Sequence, residues 1–164
     1  MDDVPANLSL LIDTLEAAGH RVVAVPSGEV ALQVAPEARP DLILMDVMMP
    51  GMDGFETCRR LKALEGMGEV PVIFLTARDE PQDVAAGFSA GGVDYVPKPF
   101  QLEEALLRVE THLRVRHLTR ALREKNAALE AEIKRRDRAA RERDRSKAQL
   151  RALGQRDAER WGLA

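Results

Sequence analysis

The chain has 164 residues, of which 45% are hydrophobic and 31% charged, with a net charge of −3, as expected for a soluble globular domain with an appendage. No stretch approaches the roughly 18 apolar residues of a membrane span, and the acidic N-terminus excludes a signal peptide. The single cysteine, Cys58, excludes an intrachain disulfide framework, argues against a structural zinc site and predicts a cytoplasmic protein.

Helix-like and strand-like segments alternate through the first two-thirds of the chain. Short β-branched or continuous apolar stretches are typical of buried strands, and apolar residues confined to one face are typical of helices. The alternation predicts an α/β fold in which helices cover both faces of a parallel sheet. In chain order we predict a helix over 8–19, a strand over 20–25, a helix over 29–35, a strand over 41–46, a helix over 54–64, a strand over 70–77, a helix over 81–91, and a short strand running into a turn over 93–100.

From Leu102 onward the pattern is that of one long helix, with no glycine or proline before Gly154. The charge changes sign along this helix. Residues 1–113 hold 8 Lys/Arg and 19 Asp/Glu, a net charge of −11, whereas residues 114–164 hold 16 Lys/Arg and 8 Asp/Glu, a net charge of +8. This contrast predicts a compact domain over 1–113 and a basic helical stalk over 114–164.

Part of the stalk has the spacing of a coiled coil. Leu122, Asn126, Leu129 and Ile133 are separated alternately by four and three residues, so that they form an apolar seam with one polar position. Arginines then occupy the expected seam positions, so the apolar pattern decays. We therefore expect a short coiled coil near residues 113–133 that joins two copies of the chain into a homodimer.

Polar residues stand where the predicted strands end. Asp46, Thr76 and Lys98 each follow a strand, and Asp2 and Asp3 precede the first helix. The carboxyl ends of parallel strands meet at one edge of a sheet, where ligands bind, so these side chains are expected to converge. A cluster of carboxylates needs a cation, and an oxygen-rich site with open positions suits Mg²⁺.

This constellation fits phosphoryl transfer. Asp46 is the predicted nucleophile and would form an aspartyl-phosphate, while Thr76 and Lys98 would contact phosphoryl oxygens. The sharp turn after Asp46 would direct a backbone carbonyl, that of Met48, toward the metal. Asp53 is expected to cap the next helix rather than to bind a ligand.

The motifs form an ordered set. They are the Asp2–Asp3 pair, Asp46 followed by MMPGMDG, Thr76–Ala77 and Lys98–Pro99–Phe100. Each motif is common by itself, but their order and spacing together are specific. Over residues 2–113 the chain resembles the receiver domain of bacterial two-component response regulators.

The resemblance implies Mg²⁺-dependent transfer of a phosphoryl group from a histidine kinase, or a phosphotransfer protein, to Asp46. It also implies a flavodoxin-like, doubly wound sheet of five strands in the order 2-1-3-4-5. Thr76 and Tyr95 would be a switch pair that rearranges on phosphorylation, and the Lys98–Pro99 bond would be cis. Such a domain is not an enzyme in the usual sense, since it catalyses only its own phosphorylation and dephosphorylation.

One feature departs from the family pattern. Receiver domains have an apolar strand directly before the acidic pair, and here only Met1 precedes Asp2. Because that strand is central, its loss would leave backbone groups unpaired on its neighbours and Asp2 and Asp3 poorly held. We expect the natural start to lie upstream, so that the first strand is truncated in this sequence.

Three functions are compatible with these patterns. The first is a phosphorylation-controlled switch that signals through its switch face and C-terminal helix to an unknown output domain or partner. The alternative is a dimeric scaffold or interaction module with a degenerate, non-phosphorylated receiver. The third is a nucleic-acid binder using the basic helix, but interleaved acidic residues and the lack of a helix-turn-helix pattern favour a solvated dimerising stalk. His112 and His117 are predicted to be surface residues.

Overall fold

The computed structural model describes residues 4–77, 81–160 and 162. From residue 28 onward helices and strands alternate as predicted, and the α/β class is confirmed. The elements are α1 (Val4–Ala17), α2 (Gly28–Ala38), β1 (Ile43–Asp46), α3 (Gly54–Ala63), β2 (Val72–Thr76), α4 (Pro81–Ser89), β3 (Asp94–Pro97) and α5 (Leu102–Arg160).

The described residues form a parallel three-stranded sheet in the order β1-β2-β3. In the register, Asp46 lies beside Leu75, and Thr76 beside Pro97. Every residue of β2 is buried, as expected for a central strand covered on both faces. The carboxyl ends of the three strands therefore lie side by side at one edge of the sheet, which we call the carboxyl edge.

Alternate residues of β2 supply two separate cores. Val72 and Phe74 face a cluster built mainly with α2 and α3, in which Cys58 and Leu61 are almost completely buried. On the other face, Ile73 and Leu75 pack with residues of α1 and α5. The buried members of this second core are Leu11, Leu15, Ile73, Leu75, Val96, Ala105 and Val109.

The predicted strand over 20–25 is wrong, because the structure places no strand there. The stretch instead lines an apolar groove of about 740 Å³, together with β1 and residues of α1, α2 and α5. Val23 and Val25 remain 56% and 38% exposed. A strand needs a hydrogen-bonded neighbour, and in the predicted order this one would pair with the strand expected ahead of Asp2.

The chain divides into two compact units, residues 1–118 and 119–164. The first unit contains the sheet and both cores. In the second, almost all described side chains of α5 are exposed, including Leu122, Leu129 and Ile133. Among the described residues, no helix is both long and apolar enough to cross a bilayer.

Candidate functional site

Asp46 is the last residue of β1, and a tight loop fixes its side chain. The Val47 amide donates to the Leu75 carbonyl at 3.0 Å, so pairing with β2 continues one residue past the strand. The Met48 amide then donates to Asp46 Oδ1 at 2.9 Å. The carboxylate is thus held by its own loop while its side chain stays 30% exposed.

The loop closes where α3 begins. The Gly54 amide donates to the Val47 carbonyl at 3.0 Å, and a Cβ at Gly54 would lie 2.2 Å from the Asp46 carbonyl oxygen. Glycine therefore permits the start of α3 to pack directly on the backbone of Asp46. Asp53 caps α3 by accepting the Glu56 amide at 2.8 Å, which confirms its predicted capping role.

Lys98 links the other two strand ends to Asp46. Its amide donates to the Thr76 carbonyl at 2.6 Å, and its ammonium group donates to Asp46 Oδ2 at 2.5 Å. The Lys98–Pro99 bond is cis, as expected. The structure thus brings the Asp46 and Lys98 side chains into contact at the carboxyl edge, with the backbone of Thr76 beside them.

Thr76 and Tyr95 border one small cavity. The Thr76 side chain is 4% exposed, whereas Tyr95 is half-buried against the core on the α3 side of the sheet. Val84 and the half-exposed Phe88 of α4 line the same cavity. The two residues predicted as a switch pair thus share an apolar space between the sheet and α4.

The donor set for a metal is only partly described. Asp2 and Asp3 lie outside the described residues, and within those the structure shows no cluster of three acidic, histidine or cysteine ligands. The described part offers the carboxylate of Asp46 and the carbonyl of Met48 in the adjoining loop. Both are oxygen donors, the kind that Mg²⁺ binds, so the residues present fit that ion in type.

A second charged network lies at the opposite end of the strands, which we call the amino edge. Asp94, the first residue of β3, accepts Arg108 at 2.8 Å through Oδ1, and its Oδ2 lies 3.0 Å from His112 Nε2. Arg116 donates to the carbonyl of Glu69, ahead of β2, at 3.0 Å and lies 3.5 Å from Asp41, ahead of β1. One stripe of α5 therefore reaches the amino ends of all three strands.

The network keeps Asp94 ionised. Burial alone would raise its pKa, but hydrogen bonds from His112, the Tyr95 amide and Arg108 outweigh burial and hold the pKa below its usual value of 3.8. Hydrogen bonds and charge from Glu104 and Asp94 outweigh burial and raise the pKa of Arg108. These groups therefore form a charged anchor for α5 rather than a reactive site.

Sequence reasoning missed this anchor, and the prediction that His112 is a surface residue is wrong. His112 is half-buried and paired with Asp94. A signal was available, since Arg108, His112 and Arg116 recur every four residues on one helical face. Their partners could not be read from the sequence. Asp41 and Glu69 lie ahead of strands and Asp94 begins one, and the lateral order of those strands must be known first.

Comparison with known proteins identifies the fold. The family model for the response regulator receiver domain matches residues 1–110. The chain is 42% identical over 114 residues to the DNA-binding dual master transcriptional regulator RpaA of Synechocystis, covering 70% of this chain and 47% of that protein. It is also 38% identical over 134 residues to the alkaline phosphatase synthesis transcriptional regulatory protein PhoP of Bacillus subtilis. That match covers 81% of this chain and 55% of that protein. The chain thus spans about half the length of these curated relatives.

Solved structures agree. A putative response regulator from Chloroflexus aurantiacus superimposes with a TM-score of 0.64 at 36% identity, covering 70% of this chain and 93% of that one. The receiver domain of the sensor histidine kinase PA1611 from Pseudomonas aeruginosa superimposes with a TM-score of 0.61 at 34% identity, covering 66% of this chain and 89% of that one. That structure holds a magnesium ion in its active-site cleft. The expected flavodoxin-like receiver fold is confirmed, and the chain belongs to the response regulator receiver domain family.

Proposed function

We propose that the chain is the receiver part of a two-component response regulator that accepts a phosphoryl group on Asp46 from a histidine kinase or a phosphotransfer protein. The observation that carries the proposal is the pairing of Asp46 with Lys98 at 2.5 Å, beside Thr76, at the ends of three adjacent strands. Membership of the receiver family supports the same assignment. The proposed setting is the cytoplasm, where such kinases present their phosphohistidine.

The proposed transfer step uses the contacts around Asp46. A carboxylate oxygen of Asp46 attacks phosphorus, the new P–O bond forms, and the P–N bond of the donor phosphohistidine breaks with its electron pair leaving on nitrogen. The Lys98 ammonium group, already bonded to Asp46 Oδ2, is near enough to follow the charge onto a phosphoryl oxygen. The Thr76 hydroxyl is assigned to a second phosphoryl oxygen.

Magnesium is the proposed cofactor. Asp46 and the Met48 carbonyl would hold it together with Asp2 and Asp3, and the bound ion would neutralise charge on the phosphoryl oxygens. The chain's own residues do the remaining work. The loop from Val47 to Gly54 orients the Asp46 carboxylate through the Met48 amide, and the Thr76 carbonyl positions the backbone of Lys98.

The proposed output begins at the cavity between the sheet and α4. When Thr76 turns toward a phosphoryl group, it vacates space that the Tyr95 ring can enter, and the surface near Phe88 changes. We further propose that the chain forms a homodimer through the exposed seam of α5, and that it acts on an output domain or a separate partner. No catalytic turnover of a small-molecule substrate is proposed for the chain itself.

The test is the intact mass of the protein after incubation with Mg²⁺ and acetyl phosphate. We expect one phosphoryl adduct on the unaltered chain and none on Asp46→Asn. The matched control is Asp53→Asn, seven residues away in the same loop, because asparagine caps a helix as well as aspartate and the fold is preserved.

The outcomes are distinct. An adduct that is absent from Asp46→Asn and present on Asp53→Asn supports the assignment. An adduct that survives in Asp46→Asn would place the acceptor elsewhere. No adduct on the unaltered chain, despite a native circular dichroism spectrum, would contradict the switch and favour a dimeric scaffold with a degenerate receiver.

A further inference from the structure

The second unit of the chain exposes a regular apolar stripe. Leu122, Leu129 and Ile133 of α5 are 60%, 62% and 58% exposed, far more than is usual for large apolar side chains in a folded protein. Asn126 is also exposed and falls in the same spacing. This stripe is the seam proposed above for dimerisation, and the residue type at each of its positions indicates how two copies pair.

Heptad positions follow from the spacing. Leu122 and Leu129 occupy d positions, whereas Thr119, Asn126 and Ile133 occupy a positions. In two-stranded parallel coiled coils, β-branched residues are favoured at a and leucine at d. Thr119 and Ile133 are β-branched, so the distribution along the stripe is the one that favours a parallel pair of helices.

Asn126 discriminates between orientations. In a parallel, in-register pair, each a residue faces its own copy, so the amide of Asn126 can donate to the amide oxygen of Asn126 in the partner subunit and accept from it. In an antiparallel pair, a positions face d positions, and Asn126 would be buried against leucine with its amide unpaired. Burying an unpaired polar group is unfavourable, so a single asparagine at an a position fixes register and orientation.

Charge supports the same arrangement. Lys125 at position g lies five residues before Glu130 at position e, the spacing at which g and e residues of parallel chains meet across the interface. Lys125 thus pairs with Glu130 of the partner subunit, and the pair occurs twice by symmetry. The next such spacing brings Glu132 toward Asp137, but Glu132 is already neutralised by Arg135 and Arg136 on its own helix at 2.8 Å each.

We infer that two copies of this chain pair through α5 as a parallel, in-register coiled coil centred on Asn126. The inference rests on the proposed dimerisation but not on phosphorylation of Asp46. It assigns the partner as a second copy of the chain and the contact as self-complementary. The two receiver units are therefore joined at corresponding ends of the stalk.

The experiment uses the full chain with Cys58 replaced by alanine, so that each variant has a single cysteine. Leu122→Cys and, separately, Ile133→Cys, which both keep Asn126, are oxidised under mild conditions and run on non-reducing gels beside light-scattering measurements of mass. We expect a dimer by scattering and a disulfide-linked dimer for both variants. Ala127→Cys, one residue off the seam, is the control and should remain largely unlinked.

Each result decides the question. Linkage at both 122 and 133 supports a parallel pair, because an antiparallel pair cannot bring both positions against their own copies. A dimer by scattering without linkage at these positions overturns the orientation and register while the proposed dimerisation stands. A monomer at all concentrations overturns both, and the phosphorylation assay on Asp46 is unaffected by that result.

Discussion

The carboxyl edge and the amino edge of the sheet each contain an aspartate that is paired with a cationic side chain and a backbone amide. The two aspartates differ in the number of their partners and in their exposure. At the carboxyl edge, the contacts of Asp46 within the described residues are with one lysine and one backbone amide, and its side chain is 30% exposed. At the amino edge, Asp94 contacts an arginine, a histidine and a backbone amide, and its side chain is 19% exposed. The more exposed and less saturated carboxylate has room for a ligand, whereas the saturated one stabilises the fold.

The proposed phosphoryl chemistry and the contacts that stabilise the fold therefore lie at opposite ends of the same strands. Parallel strands place all their carboxyl ends together and all their amino ends together. The first edge holds the groups to which we assign the proposed phosphoryl chemistry. The second contacts Arg108, His112 and Arg116, which hold α5 to the sheet. Variants at the two edges should therefore have different readouts, which makes the comparison testable.

The largest effect is expected from Lys98→Met at the carboxyl edge. Loss of an ammonium group positioned against developing charge should slow phosphorylation of Asp46 by acetyl phosphate about 100-fold, equivalent to about 2.7 kcal/mol. The unfolding free energy should change by less than about 1 kcal/mol, because the ion pair with Asp46 is partly exposed. Time-resolved intact mass and urea unfolding measure the two quantities. An unchanged rate would remove Lys98 from the proposed mechanism.

Gly54→Ala should lower the unfolding free energy by about 2 kcal/mol. The new Cβ would lie 2.2 Å from the Asp46 carbonyl oxygen and 2.9 Å from Val47 Cα, and neither backbone atom can move freely. Phosphorylation should fall as well, since the carboxylate loop shifts. Gly68→Ala is the control, because its Cβ would meet only the Lys62 carbonyl, at 3.5 Å. Equal stability of the two variants in urea unfolding would contradict the close packing at Gly54.

Asp94→Asn should cost about 1.5 kcal/mol of unfolding free energy, because charge-assisted hydrogen bonds to Arg108 and His112 are weakened. The rate of phosphorylation should stay near that of the unaltered chain. Asp41→Asn is the control, since Asp41 is 57% exposed and its pair with Arg116 is 3.5 Å long, so the expected change is below about 0.5 kcal/mol. A large loss of phosphorylation in Asp94→Asn would show that the edges are not separable in this way.

The smallest effect concerns pH. Folding lowers the pKa of Asp94 below 3.8, so its contribution to stability is present above that pH and is lost as pH falls through the lower value of the folded state. Arg108 keeps its charge over this range. The difference in unfolding free energy between the unaltered chain and Asp94→Asn should be larger at a pH of about 5 than at the lowest pH measured, because it shrinks as the pH falls below 3.8. Urea unfolding across that range measures it, and a constant difference down to the lowest pH would contradict the assigned pairing.

The residues at the carboxyl edge could be predicted from the sequence because a simple rule applies to them. Asp46, Thr76 and Lys98 each end an apolar run, and parallel strands bring such residues together whatever their order. The anchor at the amino edge depends on which strand lies beside which and on the face that α5 presents, so neighbouring residues in the chain do not reveal it. The strand prediction over 20–25 was wrong for a related reason, since β-branched residues form a strand only when a neighbouring strand is available to pair with them.

The outer side of β1, which faces away from β2, determines where the sheet can be extended. The amides of Ile43 and Val47 donate to carbonyls on the β2 side, so the alternate residues Leu44 and Asp46 direct their backbone groups into the apolar groove. An unpaired strand edge beside apolar surface is a template for another extended chain. Within the described residues, the outer side of β1 is therefore the place where a further extended strand can join the sheet beside apolar surface.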